Sequence, residues 1–349
     1  MKKILLTIVA LAFLALPTGA FAQATATPGK ALKMLLVPKY VGTDRFSKFF
    51  EQAHQGAEQA ARELQNPIPL QFIGPVRGNS AVTQISIVAD ATAQGVDAIM
   101  MTNNSVNHIV PALKAAHAKD IKVVTWDFPV PSAEGEDIYV AQVDFSTTGR
   151  VMADLAFNIL GPDGGKFAIL STTPDNPTQN AWIKGFEEAL KDPKFAKFEQ
   201  VDIAYGNDEP ESSYNRALAL VAKHADLKLI MAPASIAIVA AAKAMHDKNL
   251  CGKVKVSGLG VPSEMRAYVL NSCSPQFALW SFFDLGYLAY YTAYLLASDA
   301  IKAEEGQQFA AGRMGTYTLT KDPNRPHGLR VVMGPWTLYD KTNIEAAAQ

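Results

Sequence analysis

Short apolar runs that end on a polar or kinked residue and then give way to a helix recur along most of this chain. Residues 33–37 run into Lys39, residues 98–102 into Asn103 and Asn104, and residues 122–126 into Asp127. Further on, residues 227–232 run into Pro233 and Ser235, and residues 276–280 end on Trp280 before Ser281. Strands that alternate with helices call for parallel sheets joined by right-handed crossovers. In open sheets of that kind ligands lie beyond the carboxyl ends of the strands, where the following loops meet. The pattern predicts an α/β fold and marks the strand ends as the place to look for recognition.

After the first strand Phe46, Phe49, Phe50, Ala53, Ala57, Ala60, Ala61 and Leu64 recur at helical spacing. Helices are also predicted over residues 80–94, stopped by Gly95, and 106–119. The texture then changes. Pro129, Pro131, Ser132, Glu134, Gly135, Glu136 and Asp137 form a polar, proline-rich link that reads as a hinge. Beyond it strands are expected at 139–143, 167–171, 200–205, 227–232, 253–258 and 276–280, with helices in most gaps. A last helix over 285–300 precedes β-like pieces at 315–320, 329–333 and 336–339. A chain of 349 residues is long for one core. Two doubly wound domains facing each other across a cleft are the expectation.

Lys2 and Lys3 precede an apolar run over residues 4–16, and Ala20-Phe21-Ala22 forms a cleavage signal before Gln23. That is the pattern of a secretory signal peptide over residues 1–22, cleaved after Ala22, with an apolar run too short to span a bilayer comfortably. Residues 23–30 read as a disordered leader. Without Lys2 and Lys3 the balance is 30 basic against 33 acidic residues, and nothing in it points to nucleic acid. Cys251 and Cys273 are the two cysteines. Export favours a disulfide between them over two separate buried thiols, and either state is structural.

Motifs of catalysis are missing. Gly161-Pro162-Asp163-Gly164-Gly165-Lys166 has the wrong spacing for a phosphate loop and precedes a strand, so it reads as a turn. Gly258 and Gly260 lack the third glycine of a dinucleotide fingerprint. The six His residues are dispersed and build no metal site, and no cofactor is expected. The chain does not read as an enzyme.

A polar ligand in a water-excluding cleft needs fixed hydrogen-bonding groups and aromatic faces. Lys39 and Asp127 end two strands, and a carboxylate suits two neighbouring sugar hydroxyls. Asn103 ends a third strand. In the second block Gln179 and Asn180 open a helix, while Pro233, Ser235, Trp280 and Ser281 stand at strand ends. Asn180 and Ser235 also suit helix caps. Phe46 and Trp182 either stack on ligand or fill core.

At these positions the chain resembles a known family. Val37-Pro38-Lys39, Thr125-Trp126-Asp127, Gln179-Asn180-Ala181-Trp182, Ala232-Pro233 and Phe277-Ala278-Leu279-Trp280 look like the periplasmic sugar-binding proteins of ABC importers. The closer likeness is to the branch with rhamnose-binding and autoinducer-2-binding members. The stretch from Gly258 to Met265, Asp284-Leu285-Gly286-Tyr287 and Gly312-Arg313-Met314-Gly315 resemble the rhamnose type in particular. The resemblance implies the type I periplasmic binding protein fold, two Rossmann-like domains joined by three crossovers. One lobe would take residues 31–128 and 284–310, the other 129–283 and 311–349. It also implies a monomer in the periplasm that passes a monosaccharide to an inner-membrane ABC permease.

The autoinducer-2 pattern of ligand contacts matches at Lys39, Asp127, Gln179 and Pro233. Thr178 and Ser281 stand where it has aspartates and Ser235 where it has an alanine, so another sugar, rhamnose or a related deoxyhexose, is favoured. An autoinducer-2 receptor is the alternative within the family. An exported carbohydrate-active enzyme is the alternative outside it, with Asp127 its one obvious carboxylate. A transcription factor of the same core is opposed by the signal peptide.

Overall fold

The computed structural model describes residues 23–42, 47–76 and 80–348. The expected signal peptide and Phe46 lie outside these residues. The first unit opens with β1 (Met34–Val37), α1 (Ser47–Glu63), β2 (Gln71–Phe72), α2 (Ser80–Gln94), β3 (Ala98–Met101), α3 (Val110–His117), β4 (Lys122–Trp126) and β5 (Ile138–Ala141). Then come α4 (Thr148–Leu160), β6 (Gly165–Ser171), α5 (Pro177–Ala189), β7 (Phe198–Tyr205), α6 (Pro210–Lys223), β8 (Leu227–Ala232), α7 (Ser235–Asp247), β9 (Lys255–Gly258), α8 (Pro262–Leu270) and β10 (Phe277–Leu279). The chain closes with α9 (Phe282–Ala297), β11 (Gln308–Ala310), β12 (Thr316–Thr318), β13 (Thr320–Lys321), β14 (Leu329–Val332), β15 (Thr337–Tyr339) and α10 (Ile344–Ala347).

Two sheets carry the architecture. One has the order β13-β14-β5-β4-β3-β1-β2, parallel except for β13. The other is the parallel sheet β7-β6-β8-β9, continued by a bridge from Leu259 to Ala278 of β10, which pairs antiparallel with β15. Strands β1 and β3 are buried along their whole length, as strands covered by helices on both faces must be. The α/β expectation of two doubly wound parallel sheets is what the chain forms.

The division expected at residue 129 falls between β4 and β5 of the first sheet, and the one at 311 falls between β11 and β12 and would separate β13 and β14 from that sheet. Strand β5 pairs with β4, and β14 returns from near the end of the chain to pair with β5. The proline-rich link is a connection within this sheet, held by Glu136, whose carboxylate accepts from Thr125 and the Val130 amide. The chain passes between the sheets at three other places: after β5, between β10 and α9, and between β14 and β15.

Helix α9 is apolar nearly all round and returns to the first sheet, where it packs on α1, β3 and β4. Gly56 of α1 faces the Phe283 carbonyl, and Gly286 of α9 faces that of Ala53. Two glycines thus let the helix backbones touch. Cys251 and Cys273 form a disulfide across the α7–β9–α8 unit.

Candidate functional site

Asp127 follows β4 directly and is 5% exposed. Its Oδ1 accepts from Gln142 Nε2 at 2.7 Å, and its Oδ2 from Thr102 Oγ1 at 3.4 Å. Burial pushes its carboxyl up to about 6, against the opposing pull of the Lys39 charge and these two hydrogen bonds. Lys39, two residues past β1, is held below the ordinary lysine range by burial, which the Asp127 charge partly offsets. Its ammonium lies 3.0 Å from the centroid of the Phe128 ring, a cation–π contact. Strand order places β3 between β1 and β4, so Lys39 and Asp127 converge at one edge of the sheet. The sheet register has brought together two residues 88 positions apart.

The second unit contributes from α5 and α7. Asn176 caps α5 by accepting from the Gln179 amide at 3.0 Å, so the helix begins before Gln179, and capping does not explain that residue. Gln179 is buried, its Oε1 2.5 Å from Ser171 Oγ and 3.2 Å from the Thr172 amide, at the end of β6. Pro233 is buried past β8, and Ser235 opens α7 without a side-chain cap bond from Ala234 at the N-cap.

An aromatic cluster occupies the crossings. Phe145, from the first crossing, stacks on Trp182 at 5.8 Å and meets Trp280 and Trp336 at 5.5 and 6.1 Å. Trp280 contacts Phe282, Phe282 contacts Phe50, and Phe50 contacts Trp126, the residue before Asp127. A continuous aromatic run therefore joins α5 of the second unit to the strand end that carries Asp127. The Trp280 indole nitrogen is buried with no partner among the described residues.

Three of the residues singled out from sequence have local duties. Asn103 donates to the carbonyls of Val106 and Pro129 and accepts from the Ser105 amide, which ties down its own loop. Asn180 donates to the Pro174 carbonyl. Ser281 caps α9 by accepting from the Asp284 amide at 3.1 Å. Sequence reasoning passed over Gln142, Tyr139, Phe145 and Trp336. Reading residues 139–143 as one strand of the second block hid Gln142, whereas β5 stops at Ala141 and leaves Gln142 at a strand end.

Two cavities flank these groups. One of about 510 Å³ is lined by Lys48, Gln52, Pro262, Trp280, Ser281 and Phe283, between α1 and the start of α8. Another of about 440 Å³ is bordered by Tyr139, Gln142, Phe145, Asn324, Arg325 and Arg330. Among the described residues one grouping has metal-ligand chemistry, His246 with Cys251 and Cys273, and its two sulfurs are bonded to each other.

Residues 40–300 match the model of the periplasmic binding protein domain. A solved sugar ABC transporter structure from Actinomyces odontolyticus is 31% identical, with a TM-score of 0.81 over 90% of this chain and 97% of its own. An ABC transporter solute-binding protein from Clostridium phytofermentas, with bound L-rhamnose, is 28% identical, with a TM-score of 0.64 over 94% and 99%. LsrB from Clostridium saccharobutylicum, in complex with AI-2, is 23% identical, with a TM-score of 0.64 over 90% and 99%, a likeness of fold. No helix among the described residues is long and apolar enough to cross a membrane.

Proposed function

The chain belongs to the periplasmic binding protein family, and we propose that it captures a monosaccharide, rhamnose or a related deoxyhexose, for an ABC importer. Members of this family are transport components rather than enzymes. The observation that carries the reading is the Lys39–Asp127 pair. A buried carboxylate and a partly dehydrated ammonium, at strand ends on either side of β3, supply an acceptor and a donor for neighbouring hydroxyls. Gln179 and Ser235 offer polar groups from the second unit, and Trp182 and Trp280 offer faces for the C–H surface of a sugar. Ligand gripped from both sides favours the closed arrangement, because only that arrangement makes both sets of contacts. In this reading residues 1–22 direct export to the periplasm, and the closed form is what the membrane permease receives.

The choice of a deoxyhexose follows from the carboxylates. Thr178 and Ser281 replace acidic residues of the autoinducer-2 pattern, and Ser281 is engaged in capping α9. The relative with bound L-rhamnose lies above the AI-2-bound one in identity.

A thermal-shift screen of refolded protein, followed by calorimetry, tests the proposal with rhamnose, fucose, ribose, xylose, galactose, glucose and autoinducer-2. A shift with rhamnose or another deoxyhexose is expected. Asp127→Ala is expected to weaken that binding by about 1.5–3 kcal/mol, the range for hydrogen bonds to charged groups. A response to autoinducer-2 alone replaces the nutrient reading with signal uptake. Turnover of a bound sugar replaces it with an enzyme.

A further inference from the structure

Asp127 has a backbone that needs holding. Its φ of 63° lies in the left-handed region, which side-chain-bearing residues occupy at a cost unless their surroundings impose it. The Phe128 amide closes back on the Trp126 carbonyl at 2.7 Å, so the chain folds into a three-residue turn with Asp127 at its apex. Such a turn does not fix where the carboxylate points.

One side chain reaches both the backbone and the carboxylate. Gln142 Nε2 lies 2.7 Å from the Asp127 carbonyl oxygen and 2.7 Å from its Oδ1. A primary amide has two N–H groups, so both bonds are made at once. The amide's own orientation is set by Tyr139, whose hydroxyl lies 3.0 Å from Gln142 Oε1 and 3.0 Å from the Asp127 carbonyl. The Tyr139 ring in turn lies 4.9 Å from the guanidinium of Arg325, which Glu136 and Asp322 hold at 2.6 and 2.7 Å. All three of these charged side chains are buried.

We infer that Gln142 is a positioning residue: it clamps the turn and Oδ1 of Asp127 together and leaves Oδ2 as the edge presented to the ligand. The inference deepens the ligand reading of Asp127 and rests on it. Thr102, at 3.4 Å from Oδ2, is the weaker neighbour and leaves that oxygen acceptor capacity. Charged and titratable groups around the pair are Lys39 on one side and Tyr139, Arg325, Glu136 and Asp322 behind it. Because the Gln142 bond is made to the ionised carboxylate, losing it raises the pH at which Asp127 titrates. A residue that only filled space would not move that titration.

Gln142→Met keeps the length of the side chain and removes its donors. Gln142→Glu keeps an acceptor for Tyr139 and sets a second carboxylate against Asp127. The Asp127 carboxyl is followed by carbon-13 NMR in the ligand-free full chain, and L-rhamnose affinity by calorimetry from about pH 5 to 8, the affinity also in the Asp127→Asn background. In Gln142→Met the Asp127 titration is expected to rise by about one pH unit, the equivalent of one charge-assisted hydrogen bond. L-rhamnose binding is expected to weaken about tenfold at pH 7 by the same measure. In the Asp127→Asn background the same change is expected to cost less than about threefold. Gln142→Glu raises the titration by charge repulsion alone, so if Gln142→Met does not fold, the comparison of the Gln142→Glu loss of L-rhamnose affinity in the two Asp127 backgrounds decides the matter. An unmoved Asp127 titration in the folded variant, or an equal loss of affinity in both backgrounds, overturns the inference. A raised titration in a protein whose parent binds no L-rhamnose keeps the clamp and removes rhamnose from the proposed function.

Discussion

The indole rings of Trp280 and Trp336 meet at 5.8 Å, inclined by 64°, although one follows β10 and the other precedes β15. Both lie where the chain passes between the sheets, and Phe145 from the remaining crossing touches each of them. Any rotation of one unit against the other is made about these segments, so it must change how the rings meet. Saturating ligand is therefore expected to alter intrinsic tryptophan emission, and Trp336→Phe to reduce the change while binding persists. Emission that stays constant through a calorimetrically verified titration would mean the units do not move at this hinge.

The charge of Asp127 gives a pH dependence whose sign is fixed. In the unfolded chain its carboxyl titrates near 3.9, and in the fold burial raises it to about 6. Between those values the native state keeps a proton that the unfolded chain has released, so stability falls as pH rises across this window. Above it the cost is constant, on the order of 3 kcal/mol for a shift of two units. Asp127→Asn, which stays neutral, is expected to be more stable than the parent near pH 7 and to lose that advantage near pH 4. Urea unfolding at the two pH values measures it, and an advantage independent of pH would show that Asp127 is not the group responsible. Sugar affinity runs the other way, since the ionised carboxylate is the better acceptor: it is expected to fall as pH drops through about 6.

The strand ends were legible because their chemistry is local. Lys39 and Asp127 each lie just past a largely apolar strand, and a charged residue placed there has no packing reason to exist. Their convergence followed from α/β topology alone. Membership of β5 and β14 was not legible, because a polar link such as residues 129–137 looks the same whether it joins two domains or two neighbouring strands. Gln142 was lost through that error, since its value lies in a contact with Asp127 fifteen positions away. Ser281 was legible as a strand end, but its cap bond to Asp284 depends on α9 beginning at Phe282, three residues before the expected start.

Arg325 makes the case for a buried network that the fold cannot lose piecemeal. Its guanidinium meets Glu136 and Asp322, both nearly inaccessible, and donates to the Val130 carbonyl at 2.8 Å. Removing one member leaves charges buried without partners, a loss of roughly 3–5 kcal/mol. Arg325→Met is expected to destabilise by about that amount in urea. Adding Glu136→Gln and Asp322→Asn should recover much of it, because neutral amides are cheaper to bury than carboxylates. A single variant as stable as the parent would mean that solvent already reaches these groups.

Gly286 stands where α9 meets α1. A methyl group there would overlap the Ala53 carbonyl on α1, while one at Gly56 would overlap the Phe283 carbonyl on α9. The obstruction is backbone on both sides, so no rotamer change relieves it and the helices must part. Alanine is the better helix former by about 1 kcal/mol. Overpacking of a tight contact costs about 1–3 kcal/mol, or more where backbone has to move. The steric term wins, and Gly286→Ala is expected to destabilise by at least about 2 kcal/mol in urea unfolding. Because one separation of α1 from α9 makes room for both methyl groups, adding Gly56→Ala should cost less than it does alone, a coupling that a double-mutant cycle reads directly. Additive losses would mean that the two glycines are accommodated by independent local shifts and that the helices stay in contact.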